Sequence, residues 1–170
     1  MVFEDPEGHD EEIIAEDEQE IPYIGENEID EIEDYIVREL RTYGYFPTVH
    51  TISMGGYTGA IVVSGWKSDY TGYSRNVVAR INIKYELSPY IDLNGTNVLH
   101  LRHTATVSFS SEEQEIERLL WGRPNINIMD KFSRRRPIRD MRGKELMIAQ
   151  EVQRIYRSVM NFIAYIQRNR

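Results

Sequence analysis

SRNVVARINIKYEL, residues 74–87, alternates almost without a break. Val77, Ala79, Ile81, Ile83 and Tyr85 point one way and Asn76, Val78, Arg80, Asn82 and Lys84 the other, because successive side chains of a strand leave opposite faces of its sheet. A second stretch, NVLHLRHTATVSF at 97–109, repeats the pattern. Leu99, Leu101, His103, Ala105, Val107 and Phe109 share one face, and His100, Arg102, Thr104 and Thr106 share the other. Between them SPYIDLNGT, residues 88–96, reads as a turn. Antiparallel pairing symmetric about that turn sets Ile83 against Leu101, Val77 against Val107 and Lys84 against His100. The apolar faces then coincide, and a one-residue slip would turn one of them outward. The expected product is a sheet with one apolar face and one basic face, the latter carrying Arg80, Lys84, His100 and Arg102.

Outward from this pair, YFPTVHTISM (45–54) and YTGAIVVSGWKS (57–68) flank Gly55-Gly56, a hairpin signal that brings the count to about four strands. A helix is expected near 28–43, where Ile29, Ile32, Ile36, Leu40 and Tyr43 recur at steps of three and four. Asn27 is available to cap it, acids crowd its first turn, and Gly44 supplies the stop. A short helix is expected at about 111–121, with Ser110 and Glu113 forming a capping box. The longest helix is expected from about 138 to 168. Its Ile148, Val152, Ile155, Val159, Phe162 and Ile166 form a stripe that Ala149, Tyr156, Met160 and Ile163 widen beyond a coiled-coil seam, so the stripe reads as core. The fold class is α+β: an antiparallel sheet of about four strands with an N-terminal helix, a short helix and a long C-terminal helix packed mainly on its apolar face.

Charge is divided unevenly. Residues 1–34 hold sixteen Asp and Glu with no Lys or Arg, whereas the other 136 residues carry twelve acids against twenty bases, a net of +8 within a chain of net −8. Residues 1–24 carry too much like charge to offset their ordering entropy alone, and are expected to form an acidic, flexible tail on a single domain at 25–170. Ile13, Ile14, Ile21, Tyr23 and Ile24 punctuate that tail, and such beads can dock in a groove while the acids lie along a basic face. The chain has no cysteine, which removes disulfides, thiolate metal sites and a thiol nucleophile. With an acidic start that does not resemble a signal peptide, this favours an intracellular, cytoplasmic home or a place inside an assembled particle. No stretch approaches the ~20 apolar residues that a membrane helix needs.

Chemical motifs are scarce. HLRH (100–103) places its two histidines on opposite faces of a strand, so they cannot share a metal ion, and His103 reads as a core or boundary residue. His50 lies on another strand and His9 in the tail. MGGYTGA (54–60) has no Gly-Lys-Ser/Thr and leads into a strand, so it is not a phosphate loop. DLNGTN (92–97) lacks the alternating acids of a calcium loop. There is no G-x-S-x-G elbow. An enzyme is therefore not expected, and neither a metal nor a cofactor is implied. A pocket gathering His50, His100 or Asp69 would reopen that question.

What remains is DKFSRRRPIRDMRGK, residues 130–144, with seven basic side chains on an expected loop and helix start. Arg134, Arg135, Arg136, Arg139, Arg142 and Lys144 form a candidate carboxylate- or phosphate-binding patch, since arginine gives planar, bidentate recognition. Arg80, Lys84, His100 and Arg102 would extend it, and Tyr70 and Tyr73 are candidate contact aromatics. The leading expectation is a non-enzymatic interaction or assembly protein, with acidic arm and basic patch as opposite contact surfaces toward a protein partner or a second copy. The alternative is a nucleic-acid-binding protein whose acidic tail competes for the patch. With no catalytic constellation and two opposite contact surfaces, the leading expectation extends to a structural component of a larger, viral or phage, particle; the element order alone is similar to that of secretion chaperones and phage tail-completion proteins. That likeness singles out no family.

Overall fold

The computed structural model describes residues 11–55, 57–70, 77–111 and 142–169. Ser110 and Ser111, expected to cap and open a short helix, instead end a strand, and the rest of that helix to about 121 and the side chains of Arg134, Arg135, Arg136, Arg139, Arg142, Tyr70 and Tyr73 lie outside what it describes. Seven elements follow in order among the described residues: β1 (Glu12–Pro22), α1 (Glu26–Thr42), β2 (Phe46–Met54), β3 (Tyr57–Tyr70), β4 (Val77–Ile91), β5 (Asn97–Ser111) and α2 (Arg142–Arg168). The strands form one antiparallel sheet in the order β1-β5-β4-β3-β2, so the chain is α+β.

The sheet has five strands, not about four, and the additional one is the acidic segment. Glu12–Pro22 pairs with β5 along its length, from Glu12 opposite Val107 to Pro22 opposite Val98. Like charges forbid this segment a structure of its own, but β5 gives it a ladder and a divided environment. Ala15, Asp17, Gln19 and Ile21 fall on the helix side, with Ile21 buried against the core. Glu16, Glu18 and Glu20 fall on the other side, over Thr104, Arg102 and His100. Ile24, just beyond the strand, is buried as well.

The β4–β5 faces are those expected, but the register differs by four residues. Lys84 lies opposite Thr104 and Ile83 opposite Ala105, because β4 runs on through Pro89 to Ile91. The turn is shorter than SPYIDLNGT suggests. Asp92 holds it, accepting the N–H groups of Asn94 and Thr96 through Oδ1 at 2.9 Å each. Gly95, at φ +79°, supplies the left-handed residue that closes it. A shift by an even number keeps every side chain on its face, so the apolar pattern tolerates both registers and the turn decides.

Both helices pack on the face that carries Ile81, Ile83, Tyr85, Leu99 and Leu101. α1 lies over β2 and β3, and α2 over β1 and β5. The first helix begins at Glu26, two residues earlier than expected. Gly25, not Asn27, occupies its N-cap, and Glu28 reaches back to accept the Gly25 N–H at 3.2 Å. Its Ile29, Ile32, Ile36 and Leu40 are all buried. α2 crosses the sheet diagonally. Near its start Lys144 meets Asp69 of β3 at 2.7 Å, midway Tyr156 meets Asp17 of β1, and at its end the Gln167 amide donates to Pro22 O at 2.9 Å. Ile148, Val152, Ile155, Val159, Ile163 and Ile166 are its buried stripe. Phe162, expected in that stripe, turns instead to stack on Tyr35 of α1 at 4.2 Å.

Candidate interaction surface

The helices take one face of the sheet, so its polar residues collect on the opposite, outer face. That face is graded from edge to edge. Along β1 stand Glu16, Glu18 and Glu20; in the middle, on β5 and β4, stand His100, Arg102, Arg80 and Lys84; toward the far edge, on β3 and β2, stand Trp66, Phe46 and Ile52.

The acidic edge is spent on its neighbour. Arg102 Nη2 lies 3.4 Å from Glu16 Oε1, and its Nε 3.6 Å from Glu18 Oε1. His100 Nδ1 approaches Glu20 Oε1 at 3.5 Å. Tyr90 donates to the other oxygen of Glu20 at 2.6 Å, which raises the phenol's pKa. Lys84 pairs along its own strand with Glu86 at 3.0 Å. Exposed pairs of this kind contribute about 0–1 kcal/mol each, so they set register and surface charge more than stability.

Of the basic residues singled out in the sequence, Arg80, Lys84, His100 and Arg102 share the outer face. Lys144 does not join them. Its ammonium is held by Asp69 among the helix-side residues, with the sheet between it and the other four. His50, His100 and Asp69 are likewise kept apart, on the outer face of β2, the outer face of β5 and the helix side of β3. Among the described residues no group of three or more His, Asp or Glu side chains is placed to hold a metal ion.

The other edge holds what the sequence reading passed over. Trp66 stands opposite Phe46, their rings 5.1 Å apart, and the Arg80 guanidinium lies 6.0 Å over the indole. Phe46 is 61% exposed and Trp66 43%. Two aromatic rings left this open beside a cation form a contact patch of the composition that interfaces favour. The signal was available: Ile61, Val63 and Gly65 alternate toward the helices, so Trp66 had to face outward. Gly65 lets Leu40 come close, since a Cβ there would lie 3.1 Å from Leu40 Cδ1.

Beneath β1, on the helix side, sits a buried polar cluster. His103 is 2% exposed, its imidazole between the rings of Tyr85 at 4.8 Å and Tyr156 at 4.5 Å. Burial pushes the His103 pKa down to about 4, only partly opposed by the Asp17 carboxylate, so the ring is neutral. Its Nε2 and the Tyr85 hydroxyl have no hydrogen-bond partner among the described residues. The Tyr156 hydroxyl donates to Asp17 Oδ2 at 2.5 Å, and that bond holds the carboxyl below its ordinary value. A second polar clamp joins β3, α1 and α2. Lys67 contacts Glu151 Oε2 at 2.8 Å and donates to Tyr43 O at 2.9 Å, while Tyr45 donates to the same Glu151 oxygen at 2.8 Å. The Tyr156–Asp17 and Lys67–Glu151 contacts tie α2 to β1 and to β3.

An open groove of about 620 Å³ lies between the start of α1 and the β4–β5 hairpin, apolar at Ile24, Ile29, Pro89 and Ile91 and acidic at Glu26 and Asp30. No family model matches this chain, and none of the curated proteins matches it. No helix among the described residues is long and apolar enough to cross a membrane.

Proposed function

We propose that this chain is a non-enzymatic interaction and assembly protein that docks through the outer face of its sheet, at the end formed by Phe46, Trp66 and Arg80. The observation that carries this reading is the exposed aromatic pair at 5.1 Å with a guanidinium over one ring. Burying such a patch releases apolar surface worth about 25 cal/mol per Å², and Trp and Arg are the side chains that concentrate interface energy.

The test is sedimentation velocity on the full chain from low micromolar to millimolar concentration, for the wild type and for Trp66→Ala. Concentration-dependent association that the substitution weakens supports the reading. A wild-type monomer throughout overturns self-assembly through this patch.

A second reading is favoured by one arrangement. Arg80 and Lys84 stand diagonally on either side of Trp66, and Arg102 lies farther along the same sheet face on β5, so that cations and an aromatic ring share one face as a platform for stacked bases requires. The β1 glutamates lie against Arg102, where they would compete with phosphates. In this reading the protein binds single-stranded nucleic acid, and β1 restrains it.

A further inference from the structure

The two edges of the sheet are built differently, and the difference points to a second copy of this chain. Edge strands offer unpaired backbone groups to any passing strand, and proteins guard them with charge. β1 is guarded by Glu12, Glu16, Asp17, Glu18 and Glu20. β2, FPTVHTISM, carries no Asp, Glu, Lys or Arg. Three of its side chains are apolar and exposed: Phe46 at 61%, Val49 at 43% and Ile52 at 50%.

Their spacing is symmetric. β2 keeps regular register with β3 from Phe46 to Ile52, after which a bulge interrupts the ladder. The midpoint of that regular run is Val49. Antiparallel pairing of β2 with the β2 of another copy, about a twofold axis through Val49, sets Phe46 of each against Ile52 of the other. It also sets Val49 on Val49 and Thr48 on His50. Phe46 and Ile52 lie on the outer face and Val49 on the helix side, so apolar contacts seal both faces of the junction. Pro47, which lacks an N–H, removes at most one bond at each end of the run.

We infer that the chain forms a twofold dimer by β2–β2 pairing centred on Val49, joining two sheets into one of ten strands. The inference rests on reading the molecule as an interaction protein and names its partner. The acid-lined β1 strands become the outer edges of the joined sheet, so growth stops at two copies. Seven residues of strand bury less than the ~1,000 Å² of a permanent interface. The dimer is accordingly concentration-dependent, with Phe46, backed by Trp66 at 5.1 Å, packing on Ile52 of the other copy at each end.

Because the chain has no cysteine, the test is clean. Opposed residues of an antiparallel pair have Cα atoms about 4.5–5.5 Å apart, within disulfide reach. Val49→Cys in the full chain is expected to cross-link to a dimer under mild oxidation, and Ile13→Cys on the guarded edge is not. A mixture of Phe46→Cys and Ile52→Cys proteins is expected to cross-link with each other more than either does alone. In a separate arm, Val49→Lys is expected to weaken self-association about tenfold at unchanged circular dichroism, by placing two cations on the axis. Wild-type association without a Val49→Cys cross-link, or association that Val49→Lys leaves untouched, overturns the β2 pairing and leaves the wider interaction reading standing. A wild-type monomer at every concentration removes the pairing as well.

Discussion

Asp17 stands directly opposite His103 across the β1–β5 ladder, and Tyr156 of α2 binds both, donating its hydroxyl to the carboxylate while its ring stacks on the imidazole. This contact joins the acidic edge strand to the helix layer through side chains on the helix side of the sheet. It places an uncharged histidine where protonation is unfavourable, and so couples the fold to pH.

His103 titrates near 4 when folded and near 6.5 when unfolded. The unfolded chain therefore binds the extra proton first as pH falls. Its neutral burial contributes stability that is complete above about pH 6.5 and is lost progressively down to about pH 4. The size is about 3 kcal/mol. Urea unfolding at several pH values checks this: the wild type should lose stability over that window. His103→Phe, which keeps a ring between Tyr85 and Tyr156, should flatten the slope. An unchanged slope in the variant would place the acid sensitivity elsewhere.

Tyr156→Phe deletes one hydroxyl and leaves the Asp17 carboxylate without its main donor. Asp17 is partly exposed and water replaces part of the loss, so the expected cost is about 1 kcal/mol. The cost should be local. Amide hydrogen exchange in β1 should accelerate while β3 and β4 keep their protection, because among the described residues β1 is an edge strand with β5 on one side. Uniform acceleration across the sheet would mean that β1 is an integral part of one cooperative unit.

Gly65→Ala tests the close approach of α1 to β3. The new Cβ would meet Leu40 Cδ1 at 3.1 Å and Tyr45 Cβ at 3.2 Å, and the second of these is fixed to the backbone. A loss of about 1–3 kcal/mol is expected from thermal or urea unfolding. Leu40→Ala alone should cost about 2–5 kcal/mol, and the double variant less than the sum of the two, since the truncated leucine makes room for the new methyl.

Much of this architecture is visible in the residues. Ile81, Ile83 and Tyr85 alternate with Arg80, Asn82 and Lys84, and that alone assigns both faces of the central strands; the same rule turns His103 inward. The register could not be read this way, because the pattern has period two and survives a shift of four. Asp92 and Gly95 decide it through local hydrogen bonds that Pro89 obscures. β1 was hidden for another reason. Its acids are unfavourable in isolation and become tolerable only beside Arg102, His100 and Tyr156, contacts made far along the chain. The Phe46–Trp66 patch was legible in part: strand alternation places Trp66 outward, while its neighbour Phe46 follows only from the β2–β3 register.

The triple variant Glu16→Gln, Glu18→Gln, Glu20→Gln separates the two functional readings without dismantling β1. It keeps the strand, Ile21 and the Asp17–Tyr156 bond, and removes three negative charges from the outer face. Stability should change by no more than about 1 kcal/mol, because the pairs lost to Arg102 and His100 are exposed and a glutamine at position 20 can still accept from Tyr90. If the face receives nucleic acid, a single-stranded oligonucleotide should bind the variant more tightly than the wild type. Its affinity should fall with salt at a slope that loses about one unit when Arg102 is also replaced by Ala. If the face receives protein, both forms should ignore the oligonucleotide at low salt, while Trp66→Ala still weakens self-association. The two outcomes exclude each other at Arg102, which is either a phosphate ligand that β1 covers or a fixed partner of Glu16 and Glu18.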